Sequence, residues 1–243
     1  MFLKNYKLIA LDVDGTITEF RGSTRICSEI ISTLREIENR GVKVSFISSN
    51  SLPVVVGLSK YIGLTGPVIG ETGSLIYFKD ESIVHLTNIS TIHVVKPILE
   101  NFNQYVRESW QNLFRIHEYA FIIKENYRDR DWWVFSLIKE FVEKNYSDVR
   151  VEYSGYAIHL VPRDVSKGKA LRYVIEKLSI PADQVICIGD SYMDYDFIKE
   201  CGLKIAVMNA DEELRMNVDI VLNKPSCYGV VEFLNSLLKS DSI

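Results

Sequence analysis

The strongest constraint on the fold comes from four short segments that are almost entirely apolar. They are LIALDV at 8–13, VKVSFI at 42–47, VICIG at 185–189 and LKIAV at 203–207. Segments of this kind are typical of strands buried on both faces, as in parallel sheets covered by helices. Because helical patterns separate them, the chain is predicted to contain a doubly wound, parallel-sheet α/β domain.

Amphipathic patterns predict the helices that cover this sheet. Apolar residues recur at helical spacing over 26–37, 54–62, 171–178 and 230–238. Gly41 and Gly63 follow the first two patterns, at positions where a glycine commonly ends a helix. The outer parts of the chain therefore alternate between strand and helix.

The middle of the chain follows a different order. Residues 73–78 and 82–87 have the pattern of a β-hairpin. Beyond them the pattern predicts a helix over about 93–114, a strand at 120–125, a helix over about 131–145 and strands at 149–154 and 156–162. We predict an inserted α/β domain at 84–160, between the two parts of the first domain at 1–83 and 161–243.

Composition and charge exclude several classes of function. Hydrophobic residues make up 47% of the chain and charged residues 25%, as in ordinary globular proteins. The net charge of −4 gives no electrostatic footprint for nucleic acid. No apolar stretch reaches the length of a membrane span, and Asp12 and Asp14 interrupt the first one. We therefore expect neither a nucleic-acid partner, nor a membrane anchor, nor a signal peptide.

The cysteines give no sign of a metal site. Their positions are Cys27, Cys187, Cys201 and Cys227, and these are too scattered for the usual ligand spacings. Three of them lie in apolar patterns, so we expect small, reduced core residues. Reduced cysteines agree with the expectation of a cytoplasmic protein.

Polar side chains directly follow three of the predicted strands. They are Asp12 and Asp14 after the first strand, Ser48, Ser49 and Asn50 after the second, and Asp190 after the third. Asp194 follows four residues later at a helix start, and Lys167 opens another helix. Because ligands bind beyond the carboxyl ends of the strands in open α/β sheets, we expect these groups to meet at one edge.

Simpler interpretations of these acids are available. The segment from Asp12 resembles a calcium-binding loop, but its twelfth position, which requires a bidentate acid, is Ser23. Asp190 and Asp194 are also residues that commonly cap helices. Capping alone would leave several crowded carboxylates that repel one another, and a bound divalent cation removes that cost.

An aspartate pair at a strand end suits covalent phosphoryl transfer. Asp12 is interpreted as a nucleophile that a metal holds and neutralises, and Asp14 as a group that moves a proton. A carboxylate that attacks phosphorus forms an aspartyl-phosphate, which divides one difficult hydrolysis into two easier displacements.

These residues resemble the four motifs of the haloacid dehalogenase superfamily of phosphohydrolases. In chain order the motifs are Asp12-Val13-Asp14-Gly15-Thr16, Ser48, Lys167, and Gly189-Asp190-Ser191 with Asp194. The insert resembles the α/β cap of the Cof-like and sucrose-phosphate-phosphatase-like subgroup. The stretch SSNSLPVVVGLSKYIGLTGPVIGETG is most similar to archaeal phosphoglycolate phosphatases. The resemblance implies a Rossmann-like core, an inserted cap and Mg²⁺-dependent hydrolysis of 2-phosphoglycolate.

The resemblance also implies roles for the four aspartates. Asp12 would be the nucleophile and a metal ligand. Asp14 would be the general acid, then the base for the attacking water, and would bind the metal through its backbone carbonyl. Asp190 and Asp194 would complete the Mg²⁺ site, for which oxygen ligands are suitable.

Two further residues would bind the substrate. Ser48 would hydrogen-bond the phosphoryl oxygens, although Ser49 stands where the family more often has glycine and leaves the donor open. Lys167 would pair with the phosphate, and Lys169 is a weaker alternative because it lies further into the helix. Met193 replaces a frequent asparagine but keeps the spacing of the neighbouring aspartates.

Other functions stay open at this stage. A phosphosugar phosphatase or a phosphomannomutase-like enzyme would use the same nucleophile, and the insert would decide between them. A phospho-acceptor signalling domain fits less well, because it would lack the large insert and the second aspartate. In each enzymatic case the partner is a small phosphorylated metabolite, and we expect a monomer or homodimer.

The insert offers one candidate site for a substrate carboxylate. Basic and aromatic residues lie close together at Lys124, Arg128, Arg130, Trp132 and Trp133. An exposed loop whose tryptophans pack the core of the insert is the favoured interpretation. His159 lies within a strand and is interpreted as structural.

Overall fold

The computed structural model describes residues 2–240. Its strands are Leu8–Asp12 (β1), Lys43–Ile47 (β2), Val68–Gly70 (β3), Leu75–Tyr77 (β4), Ile83–His85 (β5), Val106–Glu108 (β6), Tyr119–Ile123 (β7), Val149–Tyr153 (β8), Ala157–Pro162 (β9), Val185–Gly189 (β10), Leu203–Ala206 (β11) and Ile220–Val221 (β12). Its α-helices are Ser28–Asn39 (α1), Leu52–Ile62 (α2), Ile92–Phe102 (α3), Asp131–Asn145 (α4), Lys167–Lys177 (α5), Tyr195–Ile198 (α6), Glu212–Arg215 (α7) and Ser226–Ser240 (α8).

Within that range the larger sheet has eight strands in the order β12-β11-β10-β1-β2-β3-β4-β5. The strands from β12 to β3 run parallel, and the hairpin β4–β5 adds two antiparallel strands at one edge. The four apolar segments form β1, β2, β10 and β11, and every residue of β1 and β10 is buried. The predicted doubly wound α/β architecture is therefore confirmed.

Glycines end two of the predicted helices. Gly63 follows α2 with a φ of 93°, and its N–H bonds the carbonyls of Ser59 and Lys60. Gly41 follows α1 with a φ of 84°. Both angles lie in the left-handed region that glycine enters without steric cost, so these positions are natural helix ends.

The second sheet has four antiparallel strands in the order β6-β7-β9-β8. Helix α3 packs against β6, and α4 packs against β8. This sheet and its helices, residues 92–162, are called the insert below. The insert has its own apolar cluster, which includes Phe121, Ile138 and Leu160 and is separate from the core of the larger sheet.

The order of elements in the insert differs from the prediction at one place. The helix predicted over 93–114 ends at Phe102 and is followed by β6 and a 3₁₀ turn, Trp110–Phe114. Strand β6 is a short edge strand that pairs with β7, the next strand along the chain. The predicted division of the chain at 84 and 160 stays a prediction, and both borders lie within strands, β5 and β9.

The cysteines differ from the expectation of reduced core residues. Cys27 is paired with Cys227, and Cys187 with Cys201, as disulfides. The Cα atoms lie 6.5 Å apart in the first pair and 6.0 Å apart in the second, within the usual range for such bonds. Sequence spacing could not show this, because one pair joins residues at opposite ends of the chain. Separately, none of the helices found between residues 2 and 240 is long and apolar enough to cross a membrane.

Candidate active site

The register of the larger sheet brings three of the predicted residues to one edge. Asp12, the last residue of β1, pairs with Ile47, the last residue of β2. On the other side β1 pairs with β10 through Leu11 and Ile188. Ser48 and Asp190 follow these neighbouring strands directly, so the chain leaves the sheet three times at the same edge, where ligands bind in such folds.

The turn after β1 depends on a glycine. Gly15 has a φ of 89°, and a Cβ atom at this position would lie 2.3 Å from Oδ2 of Asp190. The absence of a side chain thus lets the turn approach the aspartate closely. The Gly15 N–H donates to Oγ1 of Thr18 at 2.8 Å, which closes the turn.

Lys167 joins two of the predicted aspartates. The residue opens α5, and its Nζ donates to Oδ1 of Asp12 at 2.8 Å and to Oδ1 of Asp194 at 2.7 Å. Burial alone would lower the pKa of Lys167, but these two carboxylates raise it above its ordinary value. Lys169, the alternative, is exposed and donates to the carbonyl of Asp164 instead. The structure therefore brings Lys167, and not Lys169, to the aspartates.

Asp194 caps a helix and also belongs to the acidic cluster, two roles that the sequence analysis treated as alternatives. Its Oδ2 accepts the backbone N–H groups of Asp190 and Ser191, each at 3.1 Å, as a helix-capping side chain does. Its Oδ1 accepts from Lys167 at the same time. Capping fixes the carboxylate in place, and the buried lysine gives it an ionic partner.

Three carboxylates form a compact, buried cluster. Among the residues that the structure describes, Asp12, Asp190 and Asp194 each offer an oxygen within 4.8 Å of the others. Burial and the charge of Asp194 raise the pKa of Asp12 well above its usual range. Burial and the same neighbour raise the pKa of Asp190 to about 7, although Arg21 acts against this shift. Crowded carboxylates with raised pKa values are typical of functional sites.

Asp14 lies at the open side of this cluster. Its Oδ2 accepts a hydrogen bond from Nδ2 of Asn50 at 2.6 Å. The surrounding protein raises the pKa of Asp14, although the side chain keeps an exposed face. Ser48 is buried beside it, and its Oγ accepts from the backbone N–H of Asn50 at 3.0 Å and from Nδ2 at 3.1 Å. The backbone carbonyl of Ser49 accepts a hydrogen bond from Arg115 of the insert.

Sequence reasoning missed Arg21. Its Nε donates to Oδ2 of Asp190 at 2.6 Å, and its Nη2 donates to the carbonyl of the same residue at 2.6 Å. A third bond joins Nη1 to Oδ1 of Asp211 at 2.8 Å. Arg21 lies in the irregular segment before α1, far from Asp190 in the sequence, and no motif marks it.

Two further residues that the sequence did not indicate, Gln111 and Arg115, join the insert to the loop after β2. Gln111 donates from Nε2 to Oδ1 of Asn50 and accepts at Oε1 from the N–H of Ser51, both at 2.7 Å. The buried Arg115 donates from Nη2 to the carbonyl of Ser49 at 2.9 Å and from Nη1 to Glu118 at 3.0 Å. These contacts place groups of the insert directly beside the acidic edge.

The basic residues singled out in the insert contact other parts of it. Lys124 donates to the carbonyl of Asn103, and Arg128 lies over the ring of Tyr156. His159 is buried in β9, and its Nδ1 lies 2.6 Å from Oε1 of Glu118. Burial would raise the pKa of Glu118, but Arg115 and His159 together lower it. These contacts fit a structural role for the histidine.

Most of the chain matches a known family. The family model for haloacid dehalogenase-like hydrolases matches residues 9–132 and 134–234, which include all of the aspartates described above. The chain belongs to this family. Its Rossmann-like core and its insert are therefore those of a haloacid dehalogenase-like hydrolase.

Individual relatives of this hydrolase cover nearly its full length. A phosphoglycolate phosphatase of Staphylothermus marinus is 53% identical over 96% of the chain and 98% of the relative. A phosphoglycolate phosphatase of Metallosphaera sedula is 35% identical over 96% of the chain and 99% of the relative.

Solved structures support the same assignment of the fold. A crystal structure of a Thermoplasma acidophilum protein superposes with a TM-score of 0.81 at 26% identity, and it covers 96% of this chain and 98% of that one. A haloacid dehalogenase-like hydrolase of Bacteroides thetaiotaomicron superposes with a TM-score of 0.77 at 22% identity, and covers 96% and 99% of the two chains. At that identity the second comparison shows the fold alone.

Proposed function

We propose that this hydrolase is a Mg²⁺-dependent phosphomonoesterase that acts through an aspartyl-phosphate on Asp12, with 2-phosphoglycolate as its substrate. The observation that carries the reaction type is the position of Asp12, at a strand end between a buried lysine and two further carboxylates. The substrate rests on the relatives at 53% and 35% identity, both of which are named phosphoglycolate phosphatases.

The donor set fits Mg²⁺. The cluster offers carboxylate oxygens from Asp12, Asp190 and Asp194, which are the ligands that hard cations prefer. We propose that these residues, with the backbone carbonyl of Asp14, hold the ion. Bound there, Mg²⁺ would offset the negative charge of the phosphoryl group and of the aspartates. Removal of the ion would leave three buried carboxylates, whose ion-pair partners among residues 2–240 are Lys167 and Arg21.

Asp12 and Asp14 have different roles in the proposed reaction. An Asp12 carboxylate oxygen attacks phosphorus, and the bond from phosphorus to the glycolate oxygen breaks. Asp14 donates its proton to the departing oxygen, for which its raised pKa is suitable. A water molecule then attacks the phosphorus of the aspartyl-phosphate, Asp14 takes the proton from that water, and Asp12 and phosphate are released.

Two further groups would hold the phosphoryl group. Lys167 lies 2.8 Å from Oδ1 of Asp12, so its ammonium can bind the phosphoryl oxygens and the nucleophile together. The Ser48 hydroxyl is buried at the end of β2, next to Asn50 and Asp14. We assign phosphoryl binding to Ser48 rather than Ser49, because the Ser48 hydroxyl bonds Asn50, whose amide also bonds Asp14.

Partners and location follow from the proposed substrate. A small phosphorylated metabolite needs no macromolecular partner, and we propose that the enzyme meets it in the cytoplasm. Disulfides are uncommon in that compartment outside hyperthermophiles, so fractionation of the source cells is a direct test. Light scattering would distinguish a monomer from a homodimer.

A panel of phosphate esters tests the substrate. Purified protein with Mg²⁺ should release phosphate from 2-phosphoglycolate with a higher kcat/KM than from hexose phosphates, and excess chelator should abolish the release. Asp12→Asn keeps the shape of the side chain but removes the attacking charge, so it serves as the control for contaminating phosphatases. A tenfold preference for sugar phosphates, worth about 1.4 kcal/mol in transition-state binding, would favour a phosphosugar phosphatase instead. Full activity in chelator would contradict the metal assignment.

A further inference from the structure

We propose that Gln111 of the insert is a positioning residue for Asp14, and that it acts through the side chain of Asn50. This inference rests on the proposed function, in which Asp14 is the general acid. The geometry is a continuous chain of hydrogen bonds. Gln111 Nε2 donates to Asn50 Oδ1 at 2.7 Å, and Asn50 Nδ2 donates to Asp14 Oδ2 at 2.6 Å.

A backbone group fixes which atoms donate and which accept in this series of hydrogen bonds. The N–H of Ser51 can only donate, and it lies 2.7 Å from Gln111 Oε1. That contact orients the amide of Gln111, so its NH₂ group faces the oxygen of Asn50. The oxygen of Asn50 is then committed to Gln111, and its NH₂ group faces Asp14 and Ser48. Loss of the Gln111 donor would let the Asn50 amide turn over, which would present an oxygen to the Asp14 carboxylate.

Asp14 needs such an external support. Its side chain is exposed at the open side of the site, and among residues 2–240 Asn50 is the residue whose side chain donates to its carboxylate. A general acid must lie within hydrogen-bond distance of the departing oxygen, so its orientation affects the rate directly. The orientation of Asp14 thus depends on one amide, and that amide depends on the insert.

Separate contacts hold Gln111 at this place. Arg115, four residues later, donates to the carbonyl of Ser49 at 2.9 Å. The buried carboxylate of Glu71, in the 3₁₀ turn directly after β3, accepts the backbone N–H groups of residues 116–118 at distances between 2.8 and 3.2 Å. The segment of the insert that carries Gln111 is therefore anchored on the loops after β2 and β3. Asp14 would be aligned only when this segment is in place.

The test compares two compact substrates that differ in their leaving groups. 2-Phosphoglycolate releases an alkoxide that needs a proton, whereas acetyl phosphate releases a carboxylate that needs none. Gln111→Glu keeps the acceptor for Ser51 but removes the donor to Asn50. Rapid-quench measurement of the first turnover isolates the step in which the leaving group departs. Gln104→Ala, at an exposed glutamine of the insert, is the matched control.

We expect Gln111→Glu to slow glycolate release by about tenfold or more, since general acids contribute factors of about 10² to 10⁴. Acetate release should change less than about twofold, as should both rates in Gln104→Ala. Asn50→Ala should slow glycolate release at least as much and should also slow acetate release, because the Asn50 amide bonds Ser48 too. The double variant should be no slower than Asn50→Ala alone. Parallel losses with both substrates, or no loss with either, would overturn the role of Gln111. A wild-type protein inactive on every phosphate ester would overturn the proposed function instead.

Discussion

Gly15 carries two steric requirements at the site, one of backbone angle and one of space. It combines a φ of 89° with a position at which a Cβ would lie 2.3 Å from Asp190 Oδ2. Gly41 has a similar φ of 84° but no atom within 4 Å of an added Cβ. A comparison of alanine variants at these two glycines therefore separates the cost of an unfavourable φ from the cost of displacing Asp190.

Gly15→Ala should weaken both folding and metal binding. The unfavourable φ alone costs about 1–2 kcal/mol of unfolding free energy, and we expect that cost in Gly41→Ala as well. In Gly15→Ala the added methyl group should also push Asp190 out of the cluster. Calorimetric titration with Mg²⁺ should show weaker binding in Gly15→Ala and wild-type binding in Gly41→Ala. Equal Mg²⁺ affinities in the two variants would contradict the predicted displacement of Asp190 from the ion.

The titration of Asp190 should make the stability of the metal-free protein depend on pH. Its pKa is raised from 3.8 to about 7 in the folded protein, so between these values the folded state keeps a proton that the unfolded state has released. Stability without metal should therefore fall as the pH rises from about 4 to about 7, by a total on the order of 4 kcal/mol. The raised pKa of Asp12 acts in the same direction.

Urea unfolding in chelator at several pH values measures this dependence. Asp190→Asn, which cannot ionise, should flatten the slope, and added Mg²⁺ should restore stability above pH 7 in the wild-type protein. Stability that rises with pH over this interval in the metal-free protein would contradict the raised pKa.

Some of the site was predictable at the residue scale and some was not. Asp12, Asp190 and Asp194 follow apolar strands or open a helix, so their positions in the sheet follow from local patterns. Arg21 lies in an irregular segment and Gln111 in a short 3₁₀ turn, and their partners are distant in the sequence. Only tertiary packing brings such groups together, and no local periodicity reports it.

At the scale of elements, prediction succeeded where the strands were long and buried. Strands β1, β2, β10 and β11 and helices α2 and α4 lie within a few residues of their predicted bounds. Strand β6 has three residues, two of them exposed, and was included in a predicted helix. A strand this short shows no alternation of apolar and polar residues. It forms because its backbone pairs with that of β7.

The disulfides connect elements, and they should stabilise the protein unequally. Cys27 precedes α1 and Cys227 lies in α8, so their bond closes a loop of 200 residues, against 14 for Cys187 and Cys201. Chain-entropy estimates give about 5 kcal/mol for the long loop and about 3 kcal/mol for the short one. We expect the Cys27→Ala and Cys227→Ala double variant to lose more unfolding free energy than the Cys187→Ala and Cys201→Ala one.

Reducing conditions provide the control for this comparison. Each variant and the wild-type protein should be unfolded by urea with and without reductant, because substitution also changes core packing. Only the part of the difference that disappears in reductant belongs to the bond. Four reactive thiols in the native, unreduced protein would contradict both disulfides.

At the scale of the whole molecule, the reaction depends on parts that are far apart in the chain. The larger sheet supplies Asp12, the proposed nucleophile, and the acidic cluster, α5 supplies Lys167, and the insert contacts the loop after β2. The sequence predicted the sheet and the presence of an insert. It could not predict how the insert meets the site, because Gln111 and Arg115 make their contacts with polar groups that many surface loops also carry.

In the proposed mechanism Asp12 becomes phosphorylated during turnover. Acid quench of the protein, mixed with 2-phosphoglycolate and Mg²⁺, followed by mass spectrometry of the peptide that contains Asp12, tests it directly. We predict the added mass of one phosphoryl group on Asp12 in the wild-type protein, and none in Asp12→Asn. Rapid phosphate release with no phosphorylated peptide at any quench time, or a phosphoryl group on another residue, would contradict the mechanism.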